Sequence, residues 1–363
     1  MEKETTVPLD HYVTLGRSGL RVSPLCLGAM TFGEDWGWGA SEADSKAIID
    51  RYLDLGGNFI DTANLYTKGH SEAIIGDHLG RDSGRRDRVV IATKFFGNLF
   101  RGDPNGGGAG RKAMMQQVEH SLRRLKTDYI DLYWMHAWDA HTPIDETLRG
   151  LDDLVTSGKV RYVGVSDTPA WKVAQAQTLA ELRGWTRFVG LQIEYSLLER
   201  TVEGELIPMA QELGLGVTPW SPLKSGVLTG KYRPGNGSDR GPWVDSNLTE
   251  RNLAVVDELV SWAERLETTP AKLAIAWVQG RPGVTSTILG ARRVSQLEEN
   301  VSALDLELPQ DCLDALDAAT TPTLPFPCGF LQGTAAFAGN GSTINGTPGV
   351  VFPASPEGDH DRY

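Results

Sequence analysis

Short apolar runs alternate with amphipathic stretches along most of the chain, from about residue 25 to about residue 305. The runs are rich in β-branched residues, and the stretches between them repeat apolar residues with the period of a helix. This alternation favours an α/β fold in which a parallel sheet is joined by crossover helices. It predicts about eight strands, at 25–27, 58–60, 89–92, 130–134, 160–165, 188–193, 216–218 and 285–289. It predicts helices at 41–55, 111–125, 144–156 and 169–182, among others.

The ends of these segments carry residues that begin and end helices. Ser41 precedes Glu42 and Asp44, as expected of a capping hydroxyl followed by acids near the positive end of a helix dipole. Gly56 and Gly57 are placed to end that helix. Segment 11–22, with glycines between apolar residues, predicts a hairpin ahead of the first strand. If the sheet closes into a barrel, this hairpin is expected to form its floor.

Two regions break the alternation. Residues 224–247 are rich in glycine and proline and are too long for an ordinary connection, so they predict a mobile functional loop. Residues 321–363 are rich in Gly, Pro, Thr and Ser without a helical period, which predicts a tail that packs loosely or is partly disordered. We therefore expect one folded unit at 1–320 and a tail at 321–363. Whether the tail reaches the mouth of the fold stays open.

Charge and composition exclude several classes of partner. The chain has 47 acidic and 35 basic side chains, a net charge of −12, and no Lys/Arg block that could follow a phosphate backbone, so nucleic acid is not expected. No apolar run reaches the roughly 18 residues that span a bilayer, and the first residues do not resemble an export signal. The three cysteines form no metal-binding or disulfide pattern. A cytoplasmic protein without a membrane partner or bound metal is expected; a homo-oligomer stays open.

Four side chains that can share a proton follow three of the predicted strands: Asp61, Tyr66, Lys94 and His136. The carboxyl ends of parallel strands lie at one face of a barrel, so these groups are expected to meet there. An ammonium group at Lys94 would lower the pKa of a nearby tyrosine by stabilising the phenolate, and Asp61 would keep that ammonium charged. His136 would hydrogen-bond to the same substrate oxygen. Together the four residues predict a catalytic site for a carbonyl substrate.

The segments that carry these residues, with several others, resemble the aldo-keto reductase superfamily. They are 28–33, 58–66, 92–94, 163–166, 192–196 and 220–226, and the resemblance extends in order over about residues 12 to 320. It implies a single-domain (β/α)8 TIM barrel that binds NADPH (or NADP+) and reversibly reduces an aldehyde or ketone to an alcohol. The four residues above would take the family's catalytic places, with Tyr66 as the proton donor.

The resemblance also implies a cofactor site. Ser166, Asp167 and Gln192 match positions that hold the nicotinamide carboxamide, and a long loop would cover the pyrophosphate. Trp220 matches the aromatic residue on which the nicotinamide ring stacks. Arg292 suits a 2′-phosphate, because a guanidinium group can engage it with two hydrogen bonds, and this favours NADPH over NADH. The expected cofactor residues are Gly28, Met30, Thr31, Ser166, Asp167, Gln192, Trp220, Ser221, Pro222, Leu223, Gly226, Lys231, Gly290, Arg292, Gln296, Glu299 and Asn300.

One position departs from this pattern. Many relatives have asparagine where this chain has Asp167, and a carboxylate can accept a hydrogen bond from the carboxamide NH2 but cannot donate one to its oxygen. The affinity for the cofactor, or its dependence on pH, is therefore expected to differ. For the substrate, aromatic side chains of the mouth loops are the candidates, because apolar walls suit carbonyl compounds without a fixed charge. These are Trp36, Phe95 and Trp138, together with Trp38 and Phe96.

Two other functions stay open at this point. A chain that resembles the potassium-channel β subunits would keep the cofactor site and serve a partner protein as a regulatory subunit. A Schiff-base aldolase would also place a lysine at a strand end of a barrel. Asp61 beside Lys94 argues against the aldolase, because it would keep the amine protonated.

Overall fold

The computed structural model describes residues 9–232 and 241–361 of the 363-residue chain. Eight parallel strands, the third to the tenth of the chain, lie side by side in chain order with the tenth beside the third; they form a barrel with helices on its outside, and the (β/α)8 prediction is confirmed. In chain order, the strands are β1 Val13–Thr14, β2 Arg21–Val22, β3 Leu25–Gly28, β4 Phe59–Asp61, β5 Val90–Phe95, β6 Ile130–Met135, β7 Val160–Ser166, β8 Phe188–Glu194, β9 Gly216–Trp220, β10 Thr287–Gly290, β11 Thr343–Ile344 and β12 Thr347–Pro348. The barrel closes between β9 and β10. There the amide groups of Thr285 and Ser286, just before β10, donate to the carbonyl of Val217 on β9.

Helices occupy the predicted intervals between the strands. They are α1 Glu42–Asp54, α2 His70–Leu79, α3 Arg111–Arg124, α4 Ile144–Thr156, α5 Ala170–Arg183, α6 Leu206–Leu213, α7 Pro242–Asp245, α8 Glu250–Arg265, α9 Pro270–Gln279, α10 Val294–Val301, α11 Gln310–Thr320 and α12 Cys328–Ala338. The Ser41 hydroxyl caps α1 as expected, by accepting from the Asp44 amide at 3.1 Å. No helix in the described ranges is long and apolar enough to cross a membrane.

Several strands run further at their carboxyl ends than the sequence pattern predicted. Asp61 is the last residue of β4, and Lys94 lies inside β5 instead of after it. Successive side chains of a strand point to opposite faces of the sheet. Lys94 therefore points into the barrel, and Phe95 points outward into the layer between strands and helices, where it packs against Tyr133.

The predicted hairpin forms the floor of the barrel. Strands β1 and β2 pair antiparallel, and the turn between them lies against the amino ends of β8 and β9. Gly16, with φ of 56°, approaches so closely that an added Cβ would lie 2.4 Å from the Val189 carbonyl oxygen. Leu15 and Leu20 are buried against the side chains that fill the barrel interior.

A single indole fills the middle of that interior. Trp134, on β6, is fully buried, and the next two strands of the barrel, β7 and β8, make room for it with Gly164 and Gly190. A Cβ at Gly164 would lie 2.3 Å from the indole ring, and one at Gly190 would lie 2.8 Å from it. Shape complementarity in the barrel core therefore depends on these two glycines.

We expect Gly164→Ala to lower the free energy of unfolding by about 1–3 kcal/mol, the usual cost of overpacking a closely packed core. Urea unfolding at neutral pH measures the change. A glycine with a positive φ, such as Gly84 at 68°, is unsuitable as a control, because alanine would strain the backbone there. Gly19→Ala is the matched control, since its Cβ would have its nearest neighbour at 3.9 Å. Equal stability of the two variants would contradict the role of Gly164.

The two irregular regions differ from expectation in different ways. Part of the long loop, 233–240, lies outside the described residues; before it, Lys224–Thr229 forms a short 3-10 helix. The tail contains α12 at 328–338, a helix that its residue pattern did not indicate. The apolar residues Phe326 and Phe330 contact each other there, while 83% and 62% of their surfaces stay exposed. No described tail residue lines the cavity at the mouth of the barrel.

Candidate active site

A cavity of about 1610 Å³ opens at the carboxyl ends of the barrel strands. The structure brings together in its lining all but four of the predicted site residues. Those that line it are Gly28, Met30, Thr31, Trp36, Asp61, Tyr66, His136, Ser166, Asp167, Gln192, Trp220, Ser221, Pro222, Leu223, Gly226, Lys231, Gly290, Arg292, Gln296, Glu299 and Asn300. The exceptions are Lys94, Phe95, Phe96 and Trp138.

Lys94 lies beneath the cavity floor and is fully buried. Its ammonium nitrogen donates to Asp61 Oδ2, to the Thr62 carbonyl at 2.9 Å and to the Tyr66 hydroxyl at 3.3 Å. An ammonium group has three hydrogens and no acceptor, so all of its donors are in use. The Tyr66 oxygen must accept from Lys94, which leaves the phenol's own hydrogen free to be donated into the cavity.

Burial and pairing together fix the charges of this buried pair. Burial raises the pKa of the Asp61 carboxyl, and Lys94 acts against that rise. Burial lowers the pKa of the Lys94 amine, but the neighbouring Asp61 and Tyr66 more than offset this, so its pKa is raised overall. The proton therefore stays on Lys94, and the pair is an ion pair. Gln192 Nε2 also donates to Asp61 Oδ1 at 3.1 Å and holds the carboxylate in place.

Tyr66 stays protonated in the described structure. Burial raises its pKa above the usual value of about 10, and the opposing effect of Lys94 is smaller. The sequence-based expectation of a lowered pKa was wrong in its net direction, because sequence gives no measure of how much water the folded site removes. A phenol that keeps its proton at neutral pH is in the form that a proton donor needs.

His136 faces Tyr66 across the cavity, with the two rings nearly perpendicular and their centroids 5.9 Å apart. Burial lowers its pKa to about 3, and the positive charge of Lys94 acts in the same direction, so the imidazole is neutral. Its Nδ1 is buried without a hydrogen-bond partner among the described residues. A neutral imidazole can orient a carbonyl oxygen as a hydrogen-bond donor but does not compete with Tyr66 as an acid near pH 7.

Three polar side chains at the ends of β7 and β8 form a set that matches a carboxamide. Ser166 Oγ is buried and makes no well-formed hydrogen bond within the described residues. Gln192 has committed its NH2 group to Asp61, which leaves its carbonyl oxygen as an acceptor. Asp167 adds a carboxylate acceptor. One donor and two acceptors are the complement of a primary amide, which has one carbonyl oxygen and two N–H hydrogens.

An indole forms the flat wall beside this set. Trp220, at the end of β9, donates from Nε1 to Asp167 Oδ1 at 3.1 Å, which fixes the orientation of the ring. The segment that follows carries residues in the left-handed region, with φ of 56° at Ser221 and 55° at Ser225. Such conformations cost free energy in non-glycine residues and are common at functional sites. The cavity runs on under this segment.

The far end of the cavity is lined by the end of β10 and the start of α10. Thr31 donates to the Ala291 carbonyl at 2.8 Å, and the Arg292 amide donates to Gln296 Oε1 at 3.0 Å. Arg292 and Arg293 line this end, and Lys231 lines the cavity beside Gly226. A concentration of cations at the end of a cavity favours an anionic group there.

Three of the aromatic residues suggested for the substrate, Phe95, Phe96 and Trp138, do not line the cavity. Phe95 is fully buried, because the alternation of β5 turns it away from Lys94 and into the outer layer. Trp138 packs its ring at 5.7 Å against Trp171, in the first turn of α5. Sequence spacing placed these residues near the mouth but could not give the direction of the side chains.

Other residues of the cavity were missed by the sequence reasoning. Glu194 and Lys224 form an ion pair of 2.6 Å in the lining, and Thr269 to Ala271, at the start of α9, also line the cavity. The Thr269-Pro270 pair is a recognisable helix start, but no local signal places α9 beside the loop after β9. Trp38, which the sequence did suggest, lines the cavity beside Trp36 with ring centroids 5.7 Å apart.

The chain is similar to several known proteins. The family described as "Aldo/keto reductase family" matches residues 24–321. An uncharacterized oxidoreductase of Bacillus subtilis (strain 168) is 40% identical over 85% of this chain and 95% of its own length. An aryl-alcohol dehydrogenase of Pestalotiopsis microspora is 36% identical over 88% and 85%. A protein of Oryza sativa subsp. japonica named "Probable voltage-gated potassium channel subunit beta" is 38% identical over 85% and 96%. The family match covers the barrel from β3 to α11.

Proposed function

Because the chain belongs to the Aldo/keto reductase family of oxidoreductases, we propose that it catalyses the reversible, NADPH-dependent reduction of an aryl aldehyde or ketone to the alcohol. One observation carries the proposal: Lys94 donates to Asp61, to the Thr62 carbonyl and to Tyr66, and so leaves the phenol proton of Tyr66 directed to a cavity. The relative from Pestalotiopsis microspora, an aryl-alcohol dehydrogenase, supports the same class of reaction.

The residues of the cavity fit a nicotinamide dinucleotide. Ser166, Gln192 and Asp167 supply the donor and acceptors that a carboxamide needs, and the Trp220 face offers a stacking surface. Away from this set, Arg292 and Lys231 would hold phosphate groups, and the guanidinium of Arg292 favours NADPH over NADH. When bound, the reduced nicotinamide supplies the hydride that the carbonyl carbon accepts.

The chain's own residues supply the remaining proton and the orientation. Tyr66 donates its hydroxyl hydrogen to the carbonyl oxygen as negative charge develops there, and the Lys94 ammonium stabilises the phenolate that remains. His136 donates a hydrogen bond from its neutral ring and orients the same oxygen. One hydride and one proton are thus added to the C=O bond, and proton transfer back to the Tyr66 phenolate accompanies the reverse reaction.

The walls of the mouth support an aromatic substrate. Trp36 and Trp38 contact each other, and Trp36 also meets Tyr66 edge to face with centroids 6.3 Å apart. An aryl ring that packs against these indoles gains about 0.5–1.5 kcal/mol beyond the burial of its surface, which corresponds to at most about tenfold in affinity.

Turnover measurements test the proposal. Purified protein is mixed with NADPH and matched pairs of aryl and aliphatic aldehydes and ketones, and the loss of NADPH is followed by absorbance. We expect turnover with a kcat/KM up to about tenfold higher for the aryl member of a pair, and a smaller preference in Trp36→Leu. Nucleotide binding without reduction of any carbonyl compound would contradict the proposal.

A regulatory role deserves a direct comparison, because one relative is named as a potassium channel subunit. If this chain served mainly as such a subunit, it would bind the nucleotide, co-purify with a membrane protein and turn over negligibly. The intact arrangement of Lys94, Asp61 and Tyr66 favours the reductase. A Schiff-base aldolase is disfavoured by the same arrangement, because the Lys94 nitrogen is buried, protonated and committed to three acceptors.

A further inference from the structure

We propose that the carboxylate of Asp167 makes the site bind oxidised nicotinamide more tightly, relative to reduced nicotinamide, than the same site with a neutral residue would. The inference rests on the proposed function, since it requires a nicotinamide dinucleotide in the cavity. It concerns the relative affinities of the site for the two redox forms of one ligand. The pattern of hydrogen-bond donors and acceptors does not determine these, because both forms have the same carboxamide.

The backbone and one hydrogen bond fix the position of this carboxylate. Asp167 follows β7 in a left-handed conformation, with φ of 42°, which aspartate tolerates better than most residues. Its Oδ1 accepts from the Trp220 indole N–H at 3.1 Å, and the side chain lines the cavity. A flat ring stacked on the face of Trp220 therefore lies next to the Asp167 carboxylate.

The other charges near Asp167 are already balanced by partners. Lys94, below it, is paired with Asp61, and Glu194, on β8, is paired with Lys224 at 2.6 Å. Tyr66 is protonated and neutral. Within 9–232 and 241–361, Asp167 forms no ion pair, and the side chains that donate to it, Trp220 and more weakly Ser166, are neutral. Asp167 is therefore the carboxylate near Trp220 that lacks an ion-pair partner among the described residues. Its charge can act on a ligand stacked on Trp220.

The two redox forms of the ligand differ in charge at this place. The oxidised nicotinamide ring carries one positive charge and the reduced ring carries none, while the rest of the dinucleotide is the same. An uncompensated carboxylate beside the ring attracts the oxidised form more strongly. Asp167 would thereby favour the reduction step, in which the ring becomes positive, and slow the release of the oxidised nucleotide.

The ionisation of Asp167 adds a dependence on pH. Surrounding protein atoms displace water and raise the pKa of Asp167 to about 6; the Trp220 hydrogen bond opposes this rise, Glu194 adds to it, and Lys94 opposes it. The carboxyl still has an exposed face towards the cavity, so it exchanges protons freely. A positive ring stabilises the carboxylate, so binding of NADP+ releases a proton near pH 6, and the affinity for NADP+ falls as pH decreases through this range.

The experiment compares the dissociation constants of NADP+ and NADPH for the wild-type protein and for Asp167→Asn at pH 7.5 or so, by quenching of tryptophan fluorescence and by calorimetry. Asparagine keeps the shape and can still accept from Trp220; it loses the charge and gains an NH2 donor, which meets the same carboxamide in both nucleotides. We expect the ratio of the NADPH dissociation constant to the NADP+ dissociation constant to fall by about tenfold in the variant. Glu299→Gln is the matched control, because it removes a carboxylate from the far end of the cavity, where both nucleotides are identical, and should leave the ratio unchanged.

A pH series with NADP+ gives a second measurement that does not depend on how well the variant folds. The nucleotide's own 2′-phosphate titrates near pH 6 in both proteins, so the difference between them isolates Asp167. We expect a steeper loss of affinity below about pH 6 in the wild-type protein than in Asp167→Asn. Equal NADP+/NADPH ratios and equal pH profiles would overturn this inference alone, whereas failure of the wild-type protein to bind either nucleotide would overturn the proposed function with it.

Discussion

Tyr66→Phe is expected to lower kcat by about 10²- to 10⁴-fold, the usual contribution of a positioned proton donor. The substitution removes one oxygen and keeps the ring, so the edge-to-face contacts with Trp36 and His136 remain. Lys94 keeps its contacts with Asp61 and with the Thr62 carbonyl. The loss should therefore appear in turnover, while the affinity for NADPH stays the same. Steady-state kinetics and nucleotide titration measure the two effects separately.

The control for this variant is Tyr12→Phe, which removes a tyrosine hydroxyl elsewhere in the protein. The Tyr12 hydroxyl donates to the Gly56 carbonyl at 2.9 Å, near the base of the barrel and outside the cavity lining. Removal of that hydroxyl should leave turnover unchanged. If Tyr66→Phe kept a kcat within a few-fold of the wild-type value, another group would have to donate the proton. Neutral His136 would then be the first residue to test, with a pKa of about 3 for its protonated form.

Lys94→Met is expected to lower the free energy of unfolding by about 3–5 kcal/mol and to abolish most turnover, because it leaves a buried carboxylate unpaired. Asp61 is only 2% exposed and would lose its cationic partner while keeping the hydrogen bond from Gln192. Urea unfolding measures the stability. The double variant Lys94→Met, Asp61→Asn should regain much of the lost stability without regaining activity, since the uncompensated charge is gone while the proton donor still lacks its ammonium neighbour.

The stability defect of Lys94→Met should also depend on pH. The pKa of Asp61 is already raised by burial, and loss of Lys94 removes the main influence that lowers it. A carboxyl with a raised pKa in the folded state binds its proton better there than in the unfolded chain, so the stability of the variant should increase as pH falls through that raised pKa. A defect that is the same at all pH values would show that lost packing, and not an unpaired charge, is the cause.

The sequence predicted the fold well because each strand and helix of this barrel satisfies its own local pattern. Helix α4 has the predicted bounds, and α1 begins at the Ser41 cap. The strands were placed correctly but ended too early near Asp61 and Lys94, since charged residues interrupt an apolar run even where the strand continues. The hairpin before β3 was also predicted, but its role as the floor depends on Gly16 fitting against β8 and β9.

Sequence reasoning proposed catalytic residues by their place at strand ends and cofactor residues by family resemblance, but it could not predict the direction of side chains. Phe95 follows Lys94 by one residue, and the twofold alternation of a strand puts one inside the barrel and the other outside. The pKa of Tyr66 was predicted with the wrong sign because proximity to Lys94 can be guessed from motifs, whereas removal of water from the phenol cannot.

The sequence by itself determined that alternating strands and helices build a barrel and that an acid, a phenol, an amine and an imidazole stand at its strand ends, because periodicity and residue type are local properties. The tertiary structure decided which group accepts each hydrogen bond and which charges are paired. It showed that Lys94 uses all three of its hydrogens, that Glu194 is neutralised by Lys224, and that Asp167 is held by Trp220 without a counter-ion in the described chain. These facts depend on distances between residues that are far apart in sequence, and only the folded chain sets such distances.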